Sequence, residues 1–307
     1  MFNFGREQKI FEIGRVKIGG QSGELPTVLV GSIFHESHKI VRNPYLGIFD
    51  EGEAERLINL QEELCDRTGN PCMLDVVGGN SKALIKYIEF VSEVTDSPFL
   101  INGPNASVRL DAANYVREVG LQERAIYNSV NYKLNEKEIE AIRETELKAA
   151  IIQAFNPRNP YPDGMIQILK GTPEKEGLMT AALRAGIKKP FIFTPVLDVP
   201  GIGFAAQGIR LAKEQIGMPT GTAPIGVVGK WSKTKGLTKN AKIACRGGAL
   251  ALAQTMGANF IIYGSISKAG HVFPACAMID AIIAYHAKSI GIKPLVKRHP
   301  LYKYSGQ

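Results

Sequence analysis

Short apolar or β-branched runs alternate with longer stretches of helical period along almost the whole chain, and this alternation restricts the fold more than any other feature. Eight runs recur, at residues 27–34, 72–77, 99–102, 125–130, 150–155, 191–197, 219–223 and 260–263. Runs this short without a polar face read as strands covered on both sides. Between them lie stretches with apolar residues at helical spacing: 50–68, 80–95, 107–119, 135–146, 172–185, 203–216 and 241–256, with 274–289 closing the series. Asp50 with Glu53 and Asn135 with Glu138 have capping-box spacing, and Thr172-Pro173 offers a proline for a first helical turn. Gly69, Gly120, Gly186, Gly217 and Gly257 each stand where a helix should stop.

Eight successive βα units with right-handed crossovers predict a closed (β/α)₈ TIM barrel, with a doubly wound open sheet as the alternative. The alternating segments about Gly14 predict a β-hairpin within residues 1–23 that caps the amino-terminal end of the barrel. No repeat, low-complexity tract or linker interrupts the chain. A single domain over 1–307 is expected, ending in a basic tail at 290–307.

With 45% hydrophobic residues the chain can bury a substantial core, which excludes disorder. No apolar run reaches the roughly 18 residues of a membrane span. Charges occupy the amino-terminal stretch where a signal peptide would be apolar. A cytoplasmic protein that is not membrane-embedded is expected. The four cysteines (Cys65, Cys72, Cys245, Cys276) form no CxxC pair, which argues against disulfide scaffolds and zinc ribbons. The formal charge of +8 favours anionic partners, and residues 230–246 carry six cations without a carboxylate. No nucleic-acid-binding motif accompanies that charge.

In a TIM barrel the chemistry lies at the carboxyl ends of the strands. Polar residues follow nearly every run there: His35, Glu36 and His38; Asp75; Asn102; Asn128 and Ser129; Asn156; Thr194 and Asp198; Thr220 and Thr222; Tyr263 and Ser265. No lysine lies inside a run, which disfavours a Schiff-base aldolase. Only His35-Glu36-Ser37-His38 offers clustered metal ligands, and it reads equally as a polar rim loop, so no tightly bound metal is expected. Gly201-x-Gly203 with Gly208 departs from the dinucleotide spacing and lacks the following acidic residue. What remains is amides, carboxylates and hydroxyls, a set suited to binding and orienting a planar heterocycle rich in donors and acceptors. Positioning alone supplies much of what a transfer between two reactive cofactors requires.

Several segments are distinctive: Ile18-Gly19-Gly20-Gln21-x-Gly23-Glu24-x-Pro26-Thr27, Gly69-Asn70-Pro71-Cys72-Met73, Arg124-Ala125-Ile126-Tyr127-Asn128-Ser129-Val130-Asn131 and Val196-Leu197-Asp198-Val199-Pro200. With them the chain resembles, over essentially its whole length, the family of the H subunit of tetrahydromethanopterin S-methyltransferase. That family includes stand-alone methylcorrinoid protein:tetrahydrofolate methyltransferases of the glycine betaine pathway type. The resemblance implies a pterin-binding barrel in which N5 of the reduced pterin attacks a methyl group on Co(III) of a corrinoid, or cobalamin, carried by a partner protein. It implies roles in the transfer for Asn128, Asn102 and Asp198. Pterin contacts would come from Asp75, Asn102, Asn128, Ser129, Asn156, Thr194, Asp198, Thr222 and Ser265. His35, Glu36, Lys230, Lys233 and Lys235 would form a partner-facing rim. Where many relatives read Ile-Asp-Ser-Thr, this chain has Ile101-Asn102-Gly103-Pro104, so Asp75 or Asp198 must supply the anionic acceptor.

Tetrahydrofolate is the expected acceptor, because the third run departs from the family pattern and the basic stretch could meet a glutamate tail. The alternatives are the same transfer with tetrahydromethanopterin in a multisubunit enzyme, and a non-catalytic barrel that binds a corrinoid protein. A homodimer is expected.

Overall fold

The computed structural model describes residues 3–234 and 236–304, and in it the eight strands pair into one closed parallel barrel. They are β1 (Val28–Ile33), β2 (Cys72–Val77), β3 (Phe99–Asn102), β4 (Ala125–Val130), β5 (Ala149–Gln153), β6 (Lys189–Thr194), β7 (Thr220–Thr222) and β8 (Phe260–Ser265). β8 meets β1 at Phe260↔Val28, and β1 meets β2 at Leu29↔Cys72, so the ring has no edge to protect. Around it run α1 (Glu51–Thr68), α2 (Ser81–Val94), α3 (Ala106–Glu118), α4 (Glu136–Glu144), α5 (Pro162–Lys170), α6 (Leu178–Arg184), α7 (Gly201–Gln215), α8 (Ile225–Thr234), α9 (Lys239–Thr255) and α10 (Ala269–Ser289).

The strands are apolar on both faces because each face has its own core. Val28, Val30, Met73, Leu100, Ile126, Ile151, Phe191 and Phe260 fill the lumen, while residues of opposite parity, such as Leu74, Ile101, Tyr127 and Ile152, pack beneath the helices. Full burial of one such side chain stabilises by roughly 1.5–3 kcal/mol. A hairpin of Ile10–Ile13 against Val16–Gly19 closes the amino-terminal end, inserting Ile13, Val16 and Ile18 under the lumen core. Backbone bonds from Lys9 to Gly217 and from Gly14 to Glu123 hold it there.

Helix ends follow the expected signals. The Asp50 and Asn135 side chains accept from the Glu53 and Glu138 N–H groups, each cap being worth about 1 kcal/mol. Gly69, Gly120, Gly186, Gly217 and Gly257 all have positive φ.

Helices α5, α6, α8 and α10 differ from expectation. Residues 172–185 do not form one helix: Thr172 pairs with Lys175 in a small ribbon, Pro173 lies in its turn, and the helix begins at Leu178. The polar stretch from Thr172 to Gly177 has no apolar stripe to bury, and α5, with Pro162 in its first turn, takes the packing position before it. α8 occupies part of the cationic stretch expected to be a rim loop, so most of residues 230–246 is helical. α10 starts at Ala269 and carries Pro274 in its interior, on its exposed side.

By length and composition, Ile266–Ser289 is also apolar enough to cross a membrane, which corrects the expectation that no segment of the chain would be. Its surroundings are those of a core helix. Half of its most apolar stretch is buried within the protein, and Asp280 in its middle accepts hydrogen bonds from Thr27, Asn70 and Gln254.

Candidate functional site

Strand alternation decides which polar residues reach the mouth. Each lumen residue lies two positions before the next one on the same face. Above the apolar layer of Val30, Met73, Leu100, Ile126, Ile151 and Phe191, the chain therefore places Ser32, Asp75, Asn102, Asn128, Gln153 and Phe193. β4 is bulged here, between Asn128 and Val130, and the Asn128–Ser129 peptide is cis. A cleft of about 370 Å³ opens over this layer, lined by Asp75, Asn102, Asn128, Ser129, Gln153 and Phe193 among others.

Asp75 is the centre of this layer. Its side chain is buried, with Oδ2 accepting from the Ser32 hydroxyl at 2.7 Å and Oδ1 accepting from the amides of Asn102 at 2.8 Å and Asn128 at 3.3 Å. Burial raises its pKa above the ordinary carboxylate value, while these three donors pull the other way. Because both amides point an N–H at Asp75, their carbonyl oxygens are the acceptors left for a ligand. A carboxylate has about four acceptor positions, so three donors leave Asp75 with one.

Behind the β3 turn lies a buried ion pair. Arg109 donates to Glu138 at 3.1 Å and to the Gly103 carbonyl at 3.2 Å, and the Tyr127 hydroxyl donates to the same Glu138 oxygen at 2.7 Å. The Arg109 guanidinium also stands 5.2 Å from the centre of the Tyr127 ring. This group braces the Asn102-Gly103-Pro104 turn from α3 and α4. Glu138 therefore does more than complete the first turn of its helix, which is all that its spacing from Asn135 indicates.

Other candidates lie elsewhere. The Asp198 side chain is exposed on the rim and accepts from the Gly201 N–H at 2.7 Å, opening α7; it lines a separate hollow with Tyr161 and Phe204. Thr194 is buried on the helix side of β6, bonded to the Gly221 carbonyl and packed near Gly208 of α7. Thr222 bonds the Thr194 carbonyl, and Thr220 the Met218 carbonyl. Asn156 bonds the start of α5, and Ser265 pairs with Ser267. Tyr263 turns outward and donates to Gln61 of α1. Ser32, Gln153 and Arg109 are additions to the expected set; for the first two the signal is parity with the apolar residues two positions earlier.

The rim over β8 and β1 is cationic. His35 and His38 rings stand 4.8 Å apart, and His38, buried without a partner for either ring nitrogen, has its pKa lowered to about 4, chiefly by burial. Burial, then Arg246, lowers the pKa of Lys268, and burial, then Lys268, that of His35. Glu36 is exposed and borders a second cleft. Among the described residues no set of three or more His, Cys, Asp and Glu side chains lies close enough to hold a metal ion. Lys235 lies outside the described residues, as do the side chains of Lys230 and Lys233.

Residues 6–295 match the family described as the tetrahydromethanopterin S-methyltransferase MtrH subunit. The corresponding tetrahydromethanopterin S-methyltransferase chain of Methanothermobacter thermautotrophicus is 42% identical over 310 residues, covering 99% of each chain. That of Methanopyrus kandleri is 38% identical, covering 96% of this chain and 97% of its own. A putative mtx methyltransferase chain of Methanosarcina mazei is 40% identical, covering 98% and 99%. Among solved structures, Yersinia pestis dihydropteroate synthase aligns with a TM-score of 0.60 at 11% identity, covering 89% of this chain and 98% of its own. At that identity the likeness establishes the fold alone.

Proposed function

Since the chain belongs to the tetrahydromethanopterin S-methyltransferase MtrH family, and is thus a methyltransferase, we propose that it moves a methyl group between N5 of tetrahydromethanopterin and the cobalt of a corrinoid protein. The observation that carries this reading is the convergence of Ser32, Asn102 and Asn128 on Asp75 at the floor of the mouth. The relatives' names favour tetrahydromethanopterin over tetrahydrofolate, the acceptor expected from the sequence.

In this reading the pterin ring lies over the polar layer, against the apolar surface of Ile151, Phe193 and Ile262. The remaining acceptor position of Asp75 takes an N–H of the amino-pyrimidinone edge, and a charge-assisted bond there fixes the ring. The carbonyl oxygens of Asn102 and Asn128 accept further ring N–H groups. When the methyl leaves the pterin, the C–N electron pair stays on N5, which takes up a proton, while Co(I) supplies the pair for the new Co–C bond and becomes Co(III). In the opposite direction the neutral N5–H amine attacks the methyl carbon through its lone pair, Co(I) departs with the bonding pair, and the N5 proton is released to solvent. Asn128 suits both, since its carbonyl oxygen accepts from N5–H and bears no acidic proton to quench the free amine. The site's contribution is alignment of the two reactants.

The test mixes the protein with methylated corrinoid protein and either tetrahydromethanopterin or tetrahydrofolate, following cobalt absorbance. Faster turnover with tetrahydromethanopterin is expected. Preference for tetrahydrofolate would return the acceptor to the folate reading, and no cobalt change with either would support a non-catalytic corrinoid-binding barrel.

A further inference from the structure

A cavity of about 510 Å³ lies at the amino-terminal end of the barrel, on the far side from the Asp75 mouth. It opens between the hairpin strand Val16–Gly19, the end of α1, the start of β2 and residues 296–298. Two of the four cysteines share its wall, Cys65 from the last turn of α1 and Cys72 from the first position of β2. Cys72 lies one position before Met73, whose side chain fills the lumen, so Cys72 turns outward beneath α1. Gly69 ends α1 with positive φ, its N–H bonded to the Cys65 carbonyl at 2.9 Å, and turns the chain back toward β2. This tight return lays the Cys72 thiol and N–H against the Cys65 sulfur. Cys72 is 3% exposed, while Cys65 is partly open to the cavity.

The contact makes the two thiols unequal. The hydrogen bond from the Cys72 thiol lowers the Cys65 pKa below the ordinary thiol value, with the Cys72 N–H and Arg15 acting in the same direction against burial and Asp66. The same bond, together with burial, raises the pKa of Cys72. A partly exposed thiol of thiolate character beside a second, protonated thiol is the arrangement of an attacking and a resolving cysteine. The rest of the wall selects for charge. Arg15, Lys17, Lys297 and Arg298 line the cavity together with Glu62 and Asp66. Both carboxylates are engaged, Glu62 by Arg15 at 2.9 Å and by the Thr95 and Ser97 hydroxyls, and Asp66 by Arg298 at 2.9 Å. Lys17 and Lys297 have no ion pair among the described residues, which leaves the cavity with a surplus of positive charge.

We propose that Cys65 and Cys72 are a redox-active dithiol, oxidised by a low-molecular-weight disulfide whose anionic groups are held by Lys17 and Lys297. The Cys65 thiolate, its proton lost to solvent, attacks one sulfur of the small disulfide. That S–S bond breaks, and its electron pair leaves on the released thiolate, which takes a proton from solvent. Cys72 then attacks the Cys65 sulfur of the mixed disulfide, its own proton passing to the second departing thiolate. The protein gives up two electrons and two protons as the Cys65–Cys72 bond forms, and the small disulfide is reduced to two thiols. The new bond joins α1 to β2, the strand that carries Asp75, and neither cysteine lines the cleft at the mouth, so the proposal is independent of the methyl-transfer reading.

The test incubates the reduced protein with oxidised glutathione, an anionic disulfide, or with hydroxyethyl disulfide, a neutral one, and maps the thiols by alkylation and peptide mass. Oxidised glutathione should produce a Cys65–Cys72 disulfide, reversed by dithiothreitol, and leave Cys245 and Cys276 free for alkylation after unfolding. Cys72→Ala should stop with glutathione joined to Cys65. Replacing Lys17 and Lys297 together by Gln should slow the reaction with oxidised glutathione on the order of tenfold at low salt and leave that with hydroxyethyl disulfide unchanged. The slowing should vanish near 1 M salt, where the Debye length is about 3 Å. No reaction of the parent, a mixed disulfide that persists on its Cys65, or reaction at Cys245 as fast as at Cys65 overturns the dithiol. Equal slowing toward both reagents, or none toward either, overturns the anionic partner. These outcomes are read from the parent and from variants of two exposed lysines, so they decide the proposal even if Cys72→Ala does not fold.

Discussion

Two buried carboxylates at opposite ends of the barrel solve the same physical problem with opposite results. Asp75 at the carboxyl mouth and Asp280 beside the amino end are each surrounded by hydroxyl and amide donors, and burial raises the pKa of both, that of Asp280 to about 6. Asp280 accepts from the Thr27 N–H, the Thr27 hydroxyl, Asn70 and Gln254, all between 2.6 and 2.9 Å, which fills its acceptor positions. Asp75 has three donors, the farthest at 3.3 Å, and a cleft on its open side. A saturated carboxylate ties α10 to α9 and the chain around β1 and β2; an unsaturated one keeps an acceptor position at the cleft, which in the proposed function holds the pterin edge. The donor count, more than burial or pKa, separates the two acids.

The widest separation should come from exchanging the two acids for amides. Asp75→Asn is expected to lower methyl transfer roughly hundredfold, since a hydrogen bond to a charged group is worth about 1.5–3 kcal/mol, with little change in unfolding temperature. Asp280→Asn should do the reverse, removing about 1–3 kcal/mol of unfolding free energy at pH 5 while leaving turnover per folded molecule unchanged. Rate and urea-denaturation measurements on both variants check this, and the contrast breaks if the two lose the same property.

Asn128→Ala should come next, with the transfer rate falling ten- to hundredfold and pterin affinity by less, because its carbonyl bond matters most while N5 changes its bonding. Pre-steady-state cobalt absorbance separates the two effects; an unaltered rate in a folded variant removes Asn128 from the reaction.

The pH dependence sharpens the amino-end side of the comparison. A carboxyl whose folded pKa is raised from 3.8 to about 6 stabilises fully below about pH 4 and loses that contribution as pH rises through 6. The stability gap between the parent and Asp280→Asn should therefore narrow over this window, by an amount on the order of 2–3 kcal/mol. A constant gap from pH 4 to 7 would show that Asp280 titrates normally.

The smallest effect on activity is expected at Asp198. Its carboxylate opens α7, so Asp198→Ala should cost about 0.5–2 kcal/mol of stability, as a lost cap does, and change the transfer rate by about twofold or less. A loss of activity approaching that of Asp75→Asn would place Asp198 in the reaction after all.

Legibility in the sequence varies along the chain for physical reasons. β2, β3 and β4 coincide with their predicted runs because both faces of those strands are buried, so their ends are marked by the return of polar residues. α5 and α8 are not legible: the first follows a proline- and asparagine-rich stretch that reads as loop, and the second lies within a cationic segment whose charge masks its helical spacing. In the site, Asp75, Asn102, Asn128 and Ser129 are legible as strand-end residues and do line the cleft. Thr194 is equally polar and equally near a strand end, but one residue of parity turns its side chain toward α7.

The periodicity of the chain determined the barrel, and its strand ends determined that amides and carboxylates would ring the mouth, because alternation and turn chemistry act over a few residues. Which acid would keep an acceptor position open was decided only by the tertiary structure. Ser32, Asp75, Asn102 and Asn128 come from four different strands, as do Thr27, Asn70, Gln254 and Asp280 from four separate segments. Hydrogen-bond saturation and desolvation depend on those distant neighbours arriving within about 3 Å, a distance that spacing along one segment does not encode.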